Sequence, residues 1–180
     1  MGAVRMGDSV LIWVVLAVLL FWIVGAYKRL VRLRLHAIGA FAPLDTHLAH
    51  YAALLQASFS SALGDDGPPA QAGLLGAAVQ LDACTKAARA RPLDELALRT
   101  LETAHEALCA SWRRALNEPH DLAGERLPQA LQLQWEHVAR DVANARDEFN
   151  RRVTAYNAAI RQFPARLLAA VFGFNPAQTL

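Results

Sequence analysis

Residues 10–27 (VLIWVVLAVLLFWIVGAY) form an unbroken apolar run with no charged side chain. As a helix the run would span about 27 Å, close to the roughly 30 Å hydrocarbon core of a bilayer. A dozen of its residues are Leu, Ile, Val or Phe, and at about −0.4 kcal/mol each they favour insertion by roughly −5 kcal/mol. Trp13, Trp22 and Tyr27 stand towards the two ends, where amphipathic rings suit the headgroup zone. The pattern predicts one transmembrane helix. A cleaved signal sequence is the competing reading, since Val24-Gly25-Ala26 supplies small residues before a cut. The length of the run, and Lys28-Arg29 directly after it, favour a retained anchor.

Beyond the anchor the apolar positions recur at steps of three and four, the period of amphipathic helices. Ala37, Phe41, Leu44, Leu48, Tyr51 and Leu55 make one stripe. Leu74, Ala78, Leu81 and Thr85 make a second, and Leu93, Leu96, Thr100, Ala104, Leu108 and Trp112 a third. Breaks fall at the Gly/Asp/Pro cluster of residues 64–69, at Arg91-Pro92, and across residues 117–127 with Pro119 and Gly124. Helices are expected over residues 30–63, 70–89, 93–116 and 128–163, with a short one over 165–172 that Gly173 would cap. Gly39 and Pro43 predict a kink or break where the membrane helix meets the bundle. The expected fold is therefore all-α: a transmembrane helix, then an elongated antiparallel four-helix, coiled-coil-like bundle with a short C-terminal helix. Its expected parts are a flank over residues 1–9, the span over 10–27, a basic juxtamembrane helix over 28–42 and the bundle over 43–180.

The fourth long helix carries the strictest pattern. Trp135, Val142, Phe149, Tyr156 and Phe163 form a column of period seven, and Leu131, Val138 and Ala145 a second, continued by Val153 and Ile160 because Arg152 interrupts it. A strict seven-residue repeat implies a buried seam that follows a gentle left-handed supercoil. Asn150 and Asn157 each follow a ring, about 100° around the helix at the flank of the seam. There they are expected to bond to a neighbouring helix and fix register.

Charge orients the anchor. Lys28, Arg29, Arg32 and Arg34 follow it, whereas Arg5 and Asp8 precede it. The positive-inside rule then puts the C-terminal domain in the cytoplasm and the N-terminus outside. These four cations would meet anionic lipid headgroups. They also account for the net charge of +2; from residue 40 onward, 13 Lys/Arg face 15 Asp/Glu. Aromatic residues do not interleave with a basic patch, so nucleic acid is not an expected partner. Cys84 and Cys109 sit among apolar positions and are expected to be reduced, buried thiols.

Candidate chemistry is sparse. Glu102 and His105 have the i, i+3 spacing of one half of a di-iron site, but a second copy is missing, and the pair is expected on an exposed helix face. Asp45, His47 and His50 cluster on one helix and would need a third ligand from elsewhere to hold a metal. Glu136-His137 is an adjacent pair whose side chains diverge. No phosphate loop or nucleophile elbow occurs, and neither cysteine has an evident activating partner. No catalytic, cofactor or metal site is expected. A metal-dependent or enzymatic bundle using His47/His50 or Glu102/His105 is the alternative, and a lipid-binding or membrane-shaping bundle a further one. The short last helix, with Leu167, Leu168, Val171, Phe172 and Phe174, would cap the bundle or dock a partner or the bilayer.

The C-terminal residues resemble the LemA family of bacterial membrane proteins. The resemblance rests on Arg146, Phe149-Asn150, Tyr156-Asn157, Ile160, Phe163-Pro164, Leu167, Ala169 and Gly173-Phe174, with Leu30-Val31-Arg32-Leu33-Arg34 after the anchor. Phe149 stands where the family has Tyr. Leu48-Ala49-His50-Tyr51-Ala52-Ala53-Leu54-Leu55 stands where the family has a basic stretch and an Ile-Pro-Asn-Leu element. The resemblance implies a single-pass protein of the bacterial inner membrane with a long helical bundle. It implies little biochemistry by itself; together with the anchor, the long seams and the lack of a catalytic constellation, it leads to the expectation of a non-enzymatic protein-association or scaffolding module, with a partner or a second copy.

Overall fold

The computed structural model describes residues 3–59, 69–117, 127–163 and 165–180. Six helices follow in order: α1 Ala3–Gly39, α2 Phe41–Phe59, α3 Pro69–Ala90, α4 Glu95–Asn117, α5 Gln129–Arg161 and α6 Ala165–Phe172. No strand occurs among the described residues. The all-α bundle expected from periodicity is the fold observed.

The expected first helix divides. Helix α1 runs through the apolar run and the basic segment to Gly39, one turn residue follows at Ala40, and α2 begins at Phe41. Pro43 sits in the first turn of α2, where its missing N–H costs least. The buried stripe nevertheless continues across the break: Leu30, Ala37, Leu44 and Tyr51 lie seven apart, as do Phe41, Leu48 and Leu55, and all are buried. The core thus begins at Leu30, inside the basic segment.

Helix α5 explains how a broken rod stays aligned. It runs antiparallel to α1 and α2 and packs on both. The Phe149 ring meets that of Phe41 edge-on at 5.9 Å, directly beside the break. Trp135 packs on Tyr51 at 4.4 Å and stacks on Trp112 of α4 at 4.2 Å. Trp135, Val142, Phe149 and Tyr156 are all buried, as are Leu131, Val138, Ala145, Val153 and Ile160. The column stops there. Phe163 is 82 % exposed, because α5 ends at Arg161 and Gln162 is extended, so the heptad does not reach the last ring.

Two other expectations are corrected. In α4, Leu96 is exposed and Leu98 and Leu101 are buried instead. Ala104, Leu108 and Trp112 of the expected stripe are buried, but it steps back from them by fours to Thr100 and Leu96, and each step of four drifts about 40° around a helix, so those two lie off the core face. Helix α4 also starts at Glu95, later than expected, because Asp94 is its cap: the Ala97 N–H donates to Asp94 Oδ1 at 2.9 Å. By contrast, Gly173 caps α6 as expected. Its φ of +69° is left-handed, and the Phe174 N–H donates to the Ala169 carbonyl at 2.9 Å, the six-to-one bond of a Schellman turn.

Helix α2 packs against α3 and α5, and α3 against α4. Among the described residues, the α4 and α5 backbones nowhere come within 8 Å of each other between Cα atoms. Large side chains bridge that seam at one end, and the C-terminal tail bridges it at the other.

Candidate functional site

The tail, residues 174–180, leaves α6 without regular structure and runs back along α5. Asn157 Nδ2 donates to the Ala177 carbonyl at 2.7 Å, and the Ala177 N–H donates to Asn157 Oδ1 at 2.9 Å. Asn150 repeats this pairing on Leu180, with bonds of 2.7 and 2.8 Å. Each carboxamide matches the donor and acceptor of one tail residue, as a paired strand would. The period of seven now has a second cause. Seven residues of helix rise about 10.5 Å, and three residues of extended chain span about 10 Å. Asn at every seventh helical position therefore meets every third tail residue. The asparagines do fix register, but against the tail, not against a neighbouring helix as expected.

The rings and cations of the region have distinct places. Tyr156 donates its hydroxyl to the Asn175 carbonyl at 2.9 Å, and burial pushes its pKa up. Phe149 is fully buried, and one heptad on the tail is tied instead by Arg99 Nε, which donates to Gln178 Oε1 at 2.9 Å. Arg146 is bonded to Glu102 at 2.7 Å across the α4–α5 seam. Arg34 lines a cavity of about 440 Å³ with Arg91, Tyr156 and Asn175. Lys28, Arg29, Arg32 and Arg34 are exposed. Pro164 lies outside the described residues.

Helix α6 serves two neighbours. Leu168 and Ala169 are buried against the bundle, while Leu167, Val171 and Phe172 are 61, 77 and 55 % exposed. Phe172 and Phe174 also bracket Tyr27 of α1, with ring centroids at 5.0 and 6.0 Å. The short helix thus caps the base of the bundle on one face and leaves the other face apolar and open.

The residues weighed for chemistry are arranged differently from expectation. Glu102 and His105 face α5 rather than solvent: Glu102 holds Arg146, and His105 packs beside Tyr51 at 5.9 Å. His105 Nε2 also lies 3.7 Å from Cys109 Sγ, one turn away, a contact whose sole sequence signal is a spacing of four. Burial raises the Cys109 thiol pKa and lowers that of His105, with the Arg146 guanidinium lowering it further. A thiolate–imidazolium nucleophile needs both shifts reversed. Asp45 is taken by Arg89 of α3 at 2.9 Å. His47 Nδ1 is buried without a hydrogen bond and stands 4.0 Å from Asp141 Oδ2, which lies 3.5 Å from His137 Nε2. Among the described residues no group of three ligating side chains is placed to hold a metal ion.

The His105 environment yields a pH prediction. Its folded-state pKa lies below the ordinary 6.5, so the unfolded chain binds this proton first on acidification. The stability it contributes is complete above about pH 6.5 and is lost as pH falls towards the folded value. The melting temperature should drop over that interval, and His105→Gln should flatten the drop. An unchanged slope in the variant would assign the effect to other groups.

Among the described residues one helix is long and apolar enough to cross a membrane: α1, through a window of mean hydropathy 2.2 of which nothing is buried in the protein. The sequence profile of the LemA family matches residues 86–180, more than half of the chain. Comparison with curated proteins and with solved structures gives no match.

Proposed function

The chain belongs to the LemA family, and from that premise we propose that it is a membrane-tethered, non-enzymatic bundle that presents an association surface at the cytoplasmic face of the bacterial inner membrane. One observation carries this reading. The apolar length of α1 is exposed from Leu11 to Trp22, Ile23 and Ala26 begin to pack on the bundle, and the same helix enters the core at Leu30, where α5 braces it. An anchor that continues into the core holds the domain at a set distance from the lipid instead of letting it swing on a linker. The exposed cations Lys28, Arg29, Arg32 and Arg34 support the orientation.

The test combines topology with assembly. A reporter fused to the C-terminus should be active only in the cytoplasm, and the protein should resist carbonate extraction. On native gels after mild solubilisation it should migrate above the mass of one chain in its detergent. A strictly monomeric protein carrying stoichiometric zinc or iron would overturn the proposal.

A further inference from the structure

We infer that the corner between α5 and α6 enters the bilayer beside the anchor, so that the bundle grips the membrane at two points. This rests on α1 spanning the membrane as proposed above. The corner lies at the level of the lower end of the apolar run. A cavity of about 290 Å³ is lined by Phe21, Trp22, Gly25 and Arg29 of α1 and, from the corner, by Gln162 and Phe163. Nothing within 4 Å would meet a Cβ at Gly25, so the cavity is open there. Helix α6 then climbs until Phe172 and Phe174 reach Tyr27.

Trp22 precedes Tyr27 by five residues, which is about 7.5 Å along a helix. The α1 wall of the cavity runs from Phe21 to Leu30, so if Tyr27 marks the headgroup zone, the corner lies across levels from about 9 Å towards the hydrocarbon to about 4.5 Å on the other side. Interfacial helices bury their apolar faces to roughly 5–10 Å, so the depth is ordinary for such an element.

The side chains suit this surrounding. Phe163, Leu167 and Val171 are spaced by four, and each is more than three-fifths exposed. No described part of the bundle covers them. The apolar surface of α1 borders the same face, so anchor and corner form one continuous band. Arg161 and Arg166 flank it, exposed and without an ion pair among the described residues. Their long stems can lie along lipid while the guanidinium groups reach phosphate. Backbone polarity is partly met: the Gln162 N–H donates to the Ala159 carbonyl at 3.3 Å, and the Arg166 N–H to the Gln162 carbonyl at 2.9 Å.

The experiment uses the full chain in vesicles of phosphatidylethanolamine and phosphatidylglycerol. A benzoylphenylalanine photocrosslinker replaces, one at a time, Leu16 in the anchor, Phe163 at the corner, and Leu133, an exposed leucine far along α5. All three positions are exposed, so the fold tolerates the probe. Illumination should add the mass of one phospholipid at Leu16 and at Phe163 in comparable yield, and none at Leu133. Adducts at Leu16 without any at Phe163 would overturn the insertion and leave the anchor standing. Absence of adducts at Leu16 would remove the anchor, and this inference with it. Adducts at Leu133 equal to those at Phe163 would mean random collision with vesicles and would also overturn it.

Discussion

Leu16→Lys combined with Leu19→Lys moves the protein from the carbonate-resistant membrane pellet to the soluble fraction. Each leucine contributes about −0.5 kcal/mol to insertion, and each lysine near the centre of a span costs about +3. The pair therefore changes the insertion free energy by about 7 kcal/mol, from roughly −5 to about +2. Both leucines are exposed, and the buried core begins at Leu30, so the bundle should keep its helical content. Replacing the same two residues by Ala removes only about 1 kcal/mol of apolar contribution and should leave the protein in the membrane. If the lysine variant stays in the pellet, α1 is not what holds the protein there.

How much of this architecture is visible in the sequence depends on whether a residue's partner is periodic. The column from Trp135 to Tyr156 could be read because both α5 and its partners α1 and α2 repeat every seven residues, so burial of one turn implies burial of the next. The arithmetic failed at Phe163, where the helix that gives it meaning has ended. It failed again at Leu96, because steps of four do not stay on one face. The kink near Gly39 and Pro43 was legible, since both residues act locally on the backbone. The ion pair between Glu102 and Arg146 was not, because its partners stand 44 residues apart with no motif between them. The asparagine pairs were half legible. Their spacing in α5 is plain, but the tail that answers them is short and aperiodic, and nothing in residues 174–180 announces which peptide groups need a partner.

Function follows the same division. The proposed anchor rests on an apolar run and the cations that follow it, whose preference for lipid or water is a bulk property, so it can be argued from composition. The two-sidedness of α6 depends on packing across several helices, so only the folded chain shows that it turns one face inward and leaves the other bare. The Cys109–His105 contact shows why proximity alone does not make a reactive site. Burial drives both groups to their neutral forms, and a neutral pair one turn apart on a helix is a packing contact.

Asn150→Ala together with Asn157→Ala should release the tail and lower the melting temperature by roughly 10 °C. Each substitution deletes two hydrogen bonds and strands a partly buried N–H and carbonyl, a cost of about 2–3 kcal/mol apiece. The two losses should not add fully. Once Asn157 releases Ala177, the remaining bonds at Leu180 hold a freer segment, so the double variant should lose about 4 kcal/mol, or roughly 10 °C at 2–4 °C per kcal/mol. Removing residues 174–180 outright should cost no less, because it also deletes the Tyr156 bond to Asn175 and the buried side chain of Ala177. The sign of the effect makes the test sharp. Alanine is a better helix former than asparagine by about 0.5 kcal/mol, so a pair of asparagines serving only the helix would give a more stable variant. Asn→Asp at either position separates the two halves of the contact. Aspartate can still accept from the tail N–H but cannot donate to the tail carbonyl, so it should fall between the native protein and the alanine variant. Unchanged or raised stability in the double alanine variant would show that the tail does not depend on these side chains.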